Sequence, residues 1–216
     1  MQSLNTYEHK PPENVEPKQL VLLLHGLGAD GRDLMGLAPL FAQDLPEAVF
    51  VSPDAPFSCD MAPMGYQWFS LQDRSPEPIL KGVQKAAPIL EAFIDEQLEK
   101  YGLTADKLVL LGFSQGTMMS LYSGPRYSSQ IAGILGYSGA LVWEEDTDAG
   151  SLQKMPVHLI HGEADDIVPV QARAHAQESL EKAGFTVSGH TVPDLPHGID
   201  EAGIKSGSEF LKRVFE

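Results

Sequence analysis

Gly112-Phe113-Ser114-Gln115-Gly116 sets a serine between two glycines, after an apolar run and before the helix-compatible Thr117-Met118-Met119. A strand turning this sharply into a helix strains the serine backbone and lifts its hydroxyl clear of the sheet edge. The flanking glycines remove side chains that would collide with neighbouring elements. A helix starting there aims its first N–H groups at the same point, so the Gln115 amide can stabilise an oxyanion. The chemistry is attack of Ser114 on an acyl carbon, which requires a base and a group to orient that base.

Both occur downstream. An apolar run ends in His161-Gly162-Glu163-Ala164-Asp165-Asp166-Ile167-Val168-Pro169, and a later turn holds Asp194-Leu195-Pro196-His197-Gly198. The chain contains 7 histidines. His25 and His161 stand in His-Gly pairs at strand ends, where an imidazole usually holds a loop by hydrogen bonds. His9, His158, His175 and His190 lack a turn context, which leaves His197 as the base. Register selects Asp165 as its partner in a His-Gly-x-x-Asp-x-x-Val-Pro pattern. Asp166 reads as a solvated neighbour or a helix cap.

A competing motif lies in His25-Gly26-Leu27-Gly28-Ala29-Asp30-Gly31, a literal Gly-x-Gly-x-x-Gly after the first strand, with Asp54 after the second. That combination imitates a dinucleotide site and would make the chain an oxidoreductase. It leaves the serine turn, the Asp165 segment and His197 without a purpose. If Ser114 is the nucleophile, the same glycines let the loop pass close to it and aim the Leu27 N–H at the oxyanion. A non-catalytic binding protein on the same scaffold is a further alternative.

These residues must be positioned by regular elements. Short apolar runs at Leu20–Leu24, Ala48–Ser52, Lys107–Leu111 and Pro156–Ile160 read as strands covered on both faces, with weaker strands at Ile131–Tyr137 and Thr186–Val192. Between them, Ile79, Val83, Ala86, Ala87, Leu90, Ile94 and Leu98 form one helical stripe, which Pro88 is expected to kink. Further helices are expected at Asp33–Asp44, Gln115–Tyr122, Val170–Ala183 and Glu201–Val214. The alternation implies an α/β fold with a mostly parallel sheet. Ala55–Glu77 and Leu141–Lys154 break it, and both follow strand ends, where such folds place ligand pockets. The first holds Phe57, Met61, Met64, Trp68 and Phe69, which fit either core or an apolar groove.

The 216 residues, 43% hydrophobic and 21% charged, suit one domain with a real core. We expect a lead-in at 1–17 and a domain at 18–216. The formal charge of −15 disfavours nucleic acid and anionic lipid surfaces as partners. One cysteine, Cys59, exerts no pressure toward an oxidising compartment, and the acidic opening lacks secretory features, so a cytoplasmic setting without stable membrane association is expected. Oligomeric state is left open.

Leu24-His25-Gly26-Leu27-Gly28, Pro53-Asp54-Ala55-Pro56, Trp68-Phe69, the Gly112–Gly116 turn, the His161–Pro169 segment and His197-Gly198 together resemble the phospholipase/carboxylesterase family. That family includes acyl-protein thioesterases and small bacterial carboxylesterases, and the resemblance spans nearly the whole chain. It implies a single-domain α/β-hydrolase fold with helices on both faces of the sheet. It also implies a triad of Ser114, Asp165 and His197, an oxyanion hole from the Leu27 and Gln115 amides, and no cofactor or metal. An acyl groove near Met64, Trp68 and Phe69 would take a small-molecule ester, or alternatively a thioester or lysophospholipid. Asp166 replaces a proline common in thioesterase-like members, and Asp60–Ser70 looks closer to the bacterial carboxylesterases.

Overall fold

Strand β2 (Gln19–Leu24) is buried along its apolar length, and its alternate side chains enter two different cores. Leu20, Leu22 and Leu24 pack on one face of the sheet, and Val21 and Leu23 on the other. A strand sealed on both sides needs a helical layer over each face. That sandwich is what the computed structural model, described over residues 4–216, contains.

The strands are β1 (Thr6–His9), β2, β3 (Ala48–Pro53), β4 (Phe57–Ser58), β5 (Tyr66–Gln67), β6 (Leu108–Phe113), β7 (Gly133–Tyr137), β8 (Val157–Gly162) and β9 (Val187–Val192). The helices are α1 (Ala38–Phe41), α2 (Pro76–Tyr101), α3 (Gln115–Arg126), α4 (Gln171–Lys182) and α5 (Glu201–Phe215). Seven strands form the central sheet in the order β1-β3-β2-β6-β7-β8-β9, and β4 and β5 make a separate antiparallel pair. Every neighbouring pair in the large sheet is parallel except β1 with β3. Helices α2, α3 and α4 contribute to one core, and α1 and α5 to the other.

Two local expectations change. Thr6–His9 lies inside the expected lead-in yet adds an edge strand, anchored where Glu8 pairs with Lys10 at 2.9 Å and with Lys100 of α2. The helix expected at Asp33–Asp44 is broken into a 3₁₀ turn at Leu34–Leu37 and the four-residue α1. Gly36 weakens a helix interior, and Pro39 lacks the N–H that would continue the ladder from the preceding turn. Helix α2 runs through Pro88 without interruption. Pro88 and Gln84 are both exposed, so the carbonyl deprived of its partner faces water.

The C-terminal ends of β2, β6, β8 and β9 lie along one edge of the sheet, and Leu27, Ser114, Asp165 and His197 sit in the turns leaving them.

Candidate active site

Ser114 links β6 to α3 with φ 54 and ψ −113, a conformation that L-residues rarely adopt. Ser114 N–H donates to Tyr137 O of β7 at 2.9 Å, which ties the turn to the neighbouring strand. A Cβ on Gly116 would overlap the Leu24 carbonyl oxygen, and one on Gly112 would overlap the first turn of α3. Both glycines are therefore demanded by close backbone approach.

Asp165 and His197 are brought together by adjacent loops. Ala164 N–H donates to Leu195 O at 3.0 Å and Glu163 N–H to Val192 O at 2.9 Å, tying the turn after β8 to the turn after β9. His197 Nδ1 then lies 2.7 Å from Asp165 Oδ2. The other carboxylate oxygen accepts the Ile167 and Val168 N–H groups, each at 2.9 Å. Burial pushes the Asp165 carboxyl up, but the bonds from His197, Val168 and Ile167 outweigh it and hold it below the usual range. Asp166 is exposed, and α4 has no side-chain cap, so neither feature competes for the role.

The Phe113 ring lies 4.9 Å from that of His197 by centroids, which sets the imidazole beside the serine turn. No hydrogen bond joins the Ser114 hydroxyl to another described residue. Such bonds often form only when substrate is present.

The loop after β2 passes over the serine: a Cβ on Gly26 would lie 3.3 Å from Ser114 Cβ. Among the described residues the N–H groups of Leu27 and Gln115 have no hydrogen-bond partner. Two unpaired donors beside a nucleophile are what an oxyanion needs. His25 supports the loop from beneath, with Nδ1–H donating to Gly26 O at 2.7 Å and Nε2 accepting from Ala55 N–H at 2.9 Å. Burial depresses its pKa, which keeps this neutral tautomer in place. The dinucleotide alternative loses its acid here. Asp54 is buried, with Oδ1 bound by Gly31 N–H and Oδ2 by Asn5 Nδ2, each at 2.8 Å.

The residues expected to border an acyl groove differ in setting. Trp68 is 0% exposed and Phe69 2%, and both belong to the core beneath α2. Met64 is 80% exposed on a turn. Aromatic density in a long connection reads the same whether it lines a pocket or fills a core.

The groove next to α3 has other walls. It encloses about 430 Å³ between the start of α2 (Ile79, Leu80), Met118 one turn beyond Ser114, and Ala140–Trp143. The second wall is tied to α3 by Arg126 to Glu144 at 2.6 Å, Tyr122 to Glu144 at 2.9 Å and Trp143 Nε1 to Leu121 O at 3.1 Å. The sequence reading also missed that His161 touches Asp165; the four-residue spacing in the His-Gly-x-x-Asp pattern was the available signal.

Comparison with known proteins agrees with this architecture. The family model described as Phospholipase/Carboxylesterase matches residues 9–215. The chain is 28% identical to "Esterase YpfH" of Escherichia coli (strain K12), over 90% of this chain and 82% of that protein. It is 27% identical to "Acyl-protein thioesterase 1" of Gibberella zeae, over 89% of each. Among solved structures, esterase PE8 superposes with a TM-score of 0.92 at 35% identity, covering 99% of this chain and 100% of that one. Arabidopsis thaliana SOBER1 gives 0.81 at 25% identity, with coverages of 92% and 100%. With a mostly parallel α/β-hydrolase sheet, a strained serine turn and a family match over nearly its full length, the chain belongs to the phospholipase/carboxylesterase family.

Proposed function

We propose that the protein is a carboxylesterase that works through an acyl-enzyme on Ser114. The observation that carries this reading is the 2.7 Å bond from His197 Nδ1 to Asp165 Oδ2, on the loops beside the strained Ser114 turn. Nδ1–H donation leaves Nε2 with a lone pair, so His197 takes the Ser114 proton as the hydroxyl attacks the acyl carbon. Asp165 fixes the ring and stabilises its cationic form. The Leu27 and Gln115 amides hold the oxyanion, and His197 returns the proton to the departing alcohol. Water then attacks the acyl-enzyme by the same route, regenerating Ser114.

The substrate in this reading is a neutral small-molecule ester whose acyl part lies in the apolar groove by Met118 and Leu141. Thioesters and lysophospholipids are the second reading, favoured by the likeness to acyl-protein thioesterase 1. A cytoplasmic setting also belongs to the proposal, in keeping with the single cysteine. Among the described residues no helix is long and apolar enough to cross a membrane.

A fluorophosphonate probe tests the mechanism: stoichiometric labelling that disappears in Ser114→Ala supports it, and absence of labelling in folded protein overturns it. Aryl esters of increasing chain length, run beside an acyl thioester and a lysophospholipid, then separate the substrates. A preference for the thioester at equal acyl length would favour the second reading.

A further inference from the structure

The two oxyanion donors come from different parts of the chain, Leu27 from the loop after β2 and Gln115 from the start of α3. Their relative placement decides whether both reach one oxygen, and a misplacement of about 1 Å can cost about 10²-fold in rate. One short segment, Tyr66–Phe69, binds both parts.

Toward the first loop, Trp68 Nε1–H donates to His25 O at 3.1 Å. Gly28 N–H donates to Tyr66 O at 2.9 Å, and Tyr66 N–H to Ala29 O at 2.8 Å. Leu27 is thus enclosed by bonds at residues 25, 28 and 29. The approach is close enough that a Cβ on Gly65, whose φ is 87, would overlap the Gly28 carbonyl oxygen. Toward α3, the Gln115 side chain completes a paired contact: Oε1 accepts Trp68 N–H and Nε2 donates to Phe69 O, both at 2.8 Å. Gln115 and Trp68 are each 0% exposed, so water cannot substitute for these bonds.

We propose that Tyr66–Phe69 is a clasp that sets the spacing of the oxyanion hole, with the Trp68 indole and the Gln115 carboxamide as its positioning groups. Gln115 has two separate duties: its backbone N–H meets the substrate, and its side chain holds that N–H in register with Leu27. Trp68 has no contact with substrate. The inference rests on the Ser114 esterase reading and adds the parts that keep its oxyanion donors aligned.

The test compares Gln115→Met and Trp68→Phe with the wild type. Gln115→Met keeps the backbone amide and most of the side-chain volume but removes both clasp bonds on that side. Trp68→Phe removes the indole N–H and keeps an aromatic ring. Because an oxyanion exists only in the transition state, kcat should fall about 10- to 100-fold for Gln115→Met and about tenfold for Trp68→Phe, with KM within about twofold. Affinity for an aryl trifluoromethyl ketone, which places an oxyanion in the same hole, should weaken in proportion to kcat. A purely structural role would lower the melting temperature without that proportionality. Unchanged kcat in a folded variant, or a loss of kcat without matched loss of ketone affinity, overturns the clasp and leaves the esterase reading intact. Absence of Ser114-dependent hydrolysis in the wild type overturns both. Trp68→Phe decides the matter alone if Gln115→Met does not fold.

Discussion

His161 Nε2 stands 3.1 Å from Asp165 Oδ2, the same oxygen that the His197 ring approaches from another side. The His161 side chain is 1% exposed, and its Nε2–H donates to Val168 O at 2.8 Å, which holds the ring against the Asp165 carboxylate. Asp165 is thereby flanked by two imidazoles, bonded to His197 and to two backbone amides. Removing His161 leaves the Val168 carbonyl unpaired at that point and frees one side of the carboxylate. His161→Ala is expected to cost about 1–3 kcal/mol of stability and to lower kcat/KM about tenfold. His161→Gln, whose amide can donate to the same region, should recover part of the loss. Urea unfolding and steady-state kinetics on the three proteins check this, and equal kcat/KM in all of them would count against it.

The assignment of the carboxylate is tested by a neighbouring pair. Asp165→Asn removes the acceptor that fixes the His197 tautomer and should reduce kcat by about 10³- to 10⁴-fold. Asp166→Asn alters an exposed side chain and should leave kcat within about twofold. The reverse ranking in ester hydrolysis would transfer the role to Asp166.

Acid should destabilise the fold through buried histidines. His158 is 7% exposed, stacks on Phe210 and has Ser188 and Ser206 at 2.8 Å on its two nitrogens. Burial lowers its pKa to about 4, assisted by the nearby positive charges of Arg213, His190 and Arg173. The unfolded chain therefore binds a proton near pH 6.5 that the folded chain refuses until about pH 4. This group's contribution is complete above pH 6.5 and is lost as pH falls through that window, at a slope of up to about 1.4 kcal/mol per pH unit. His25, also depressed by burial, adds loss in the same direction. Urea midpoints measured from pH 7 to pH 4.5 should decline less steeply in His158→Asn than in the wild type. Parallel declines would remove His158 from the explanation.

Two glycine substitutions should have opposite effects. Gly116→Ala drives a methyl group into the Leu24 carbonyl where α3 rests on β2, and should cost about 4 kcal/mol or more, or abolish folding. Gly36→Ala meets nothing within 4 Å and should raise stability by about 0.4–1 kcal/mol by restricting the unfolded chain. Differential scanning calorimetry of the two variants separates these outcomes.

The legible parts of this molecule were those decided by local pattern. The apolar runs of β2, β3, β6 and β8 had to be sealed on both faces, and strands stand at those places. The serine turn announces itself in Gly112, Ser114 and Gly116, although Leu24, whose carbonyl demands Gly116, comes from a strand far away in sequence. Thr6–His9 escaped notice because a half-buried edge strand carries polar residues and gives no apolar run. For Trp68 and Phe69 the sequence left core and groove open, because only the packing of α2 over residues 66–69 decides between them. The groove walls, Ile79–Leu80 and Ala140–Trp143, are distant in sequence and meet only once the sheet has formed.

Helix α3 is buried from Gln115 through Pro125. Ser114, the nucleophile of the proposed mechanism, is therefore fastened to the innermost rod of the molecule, wedged between the sheet and α2. Fraying at the periphery cannot disturb such an element, and its amides should exchange with deuterium only when the whole domain opens. Heating should then extinguish activity in step with cooperative unfolding, which makes turnover a direct gauge of how much of the population is intact.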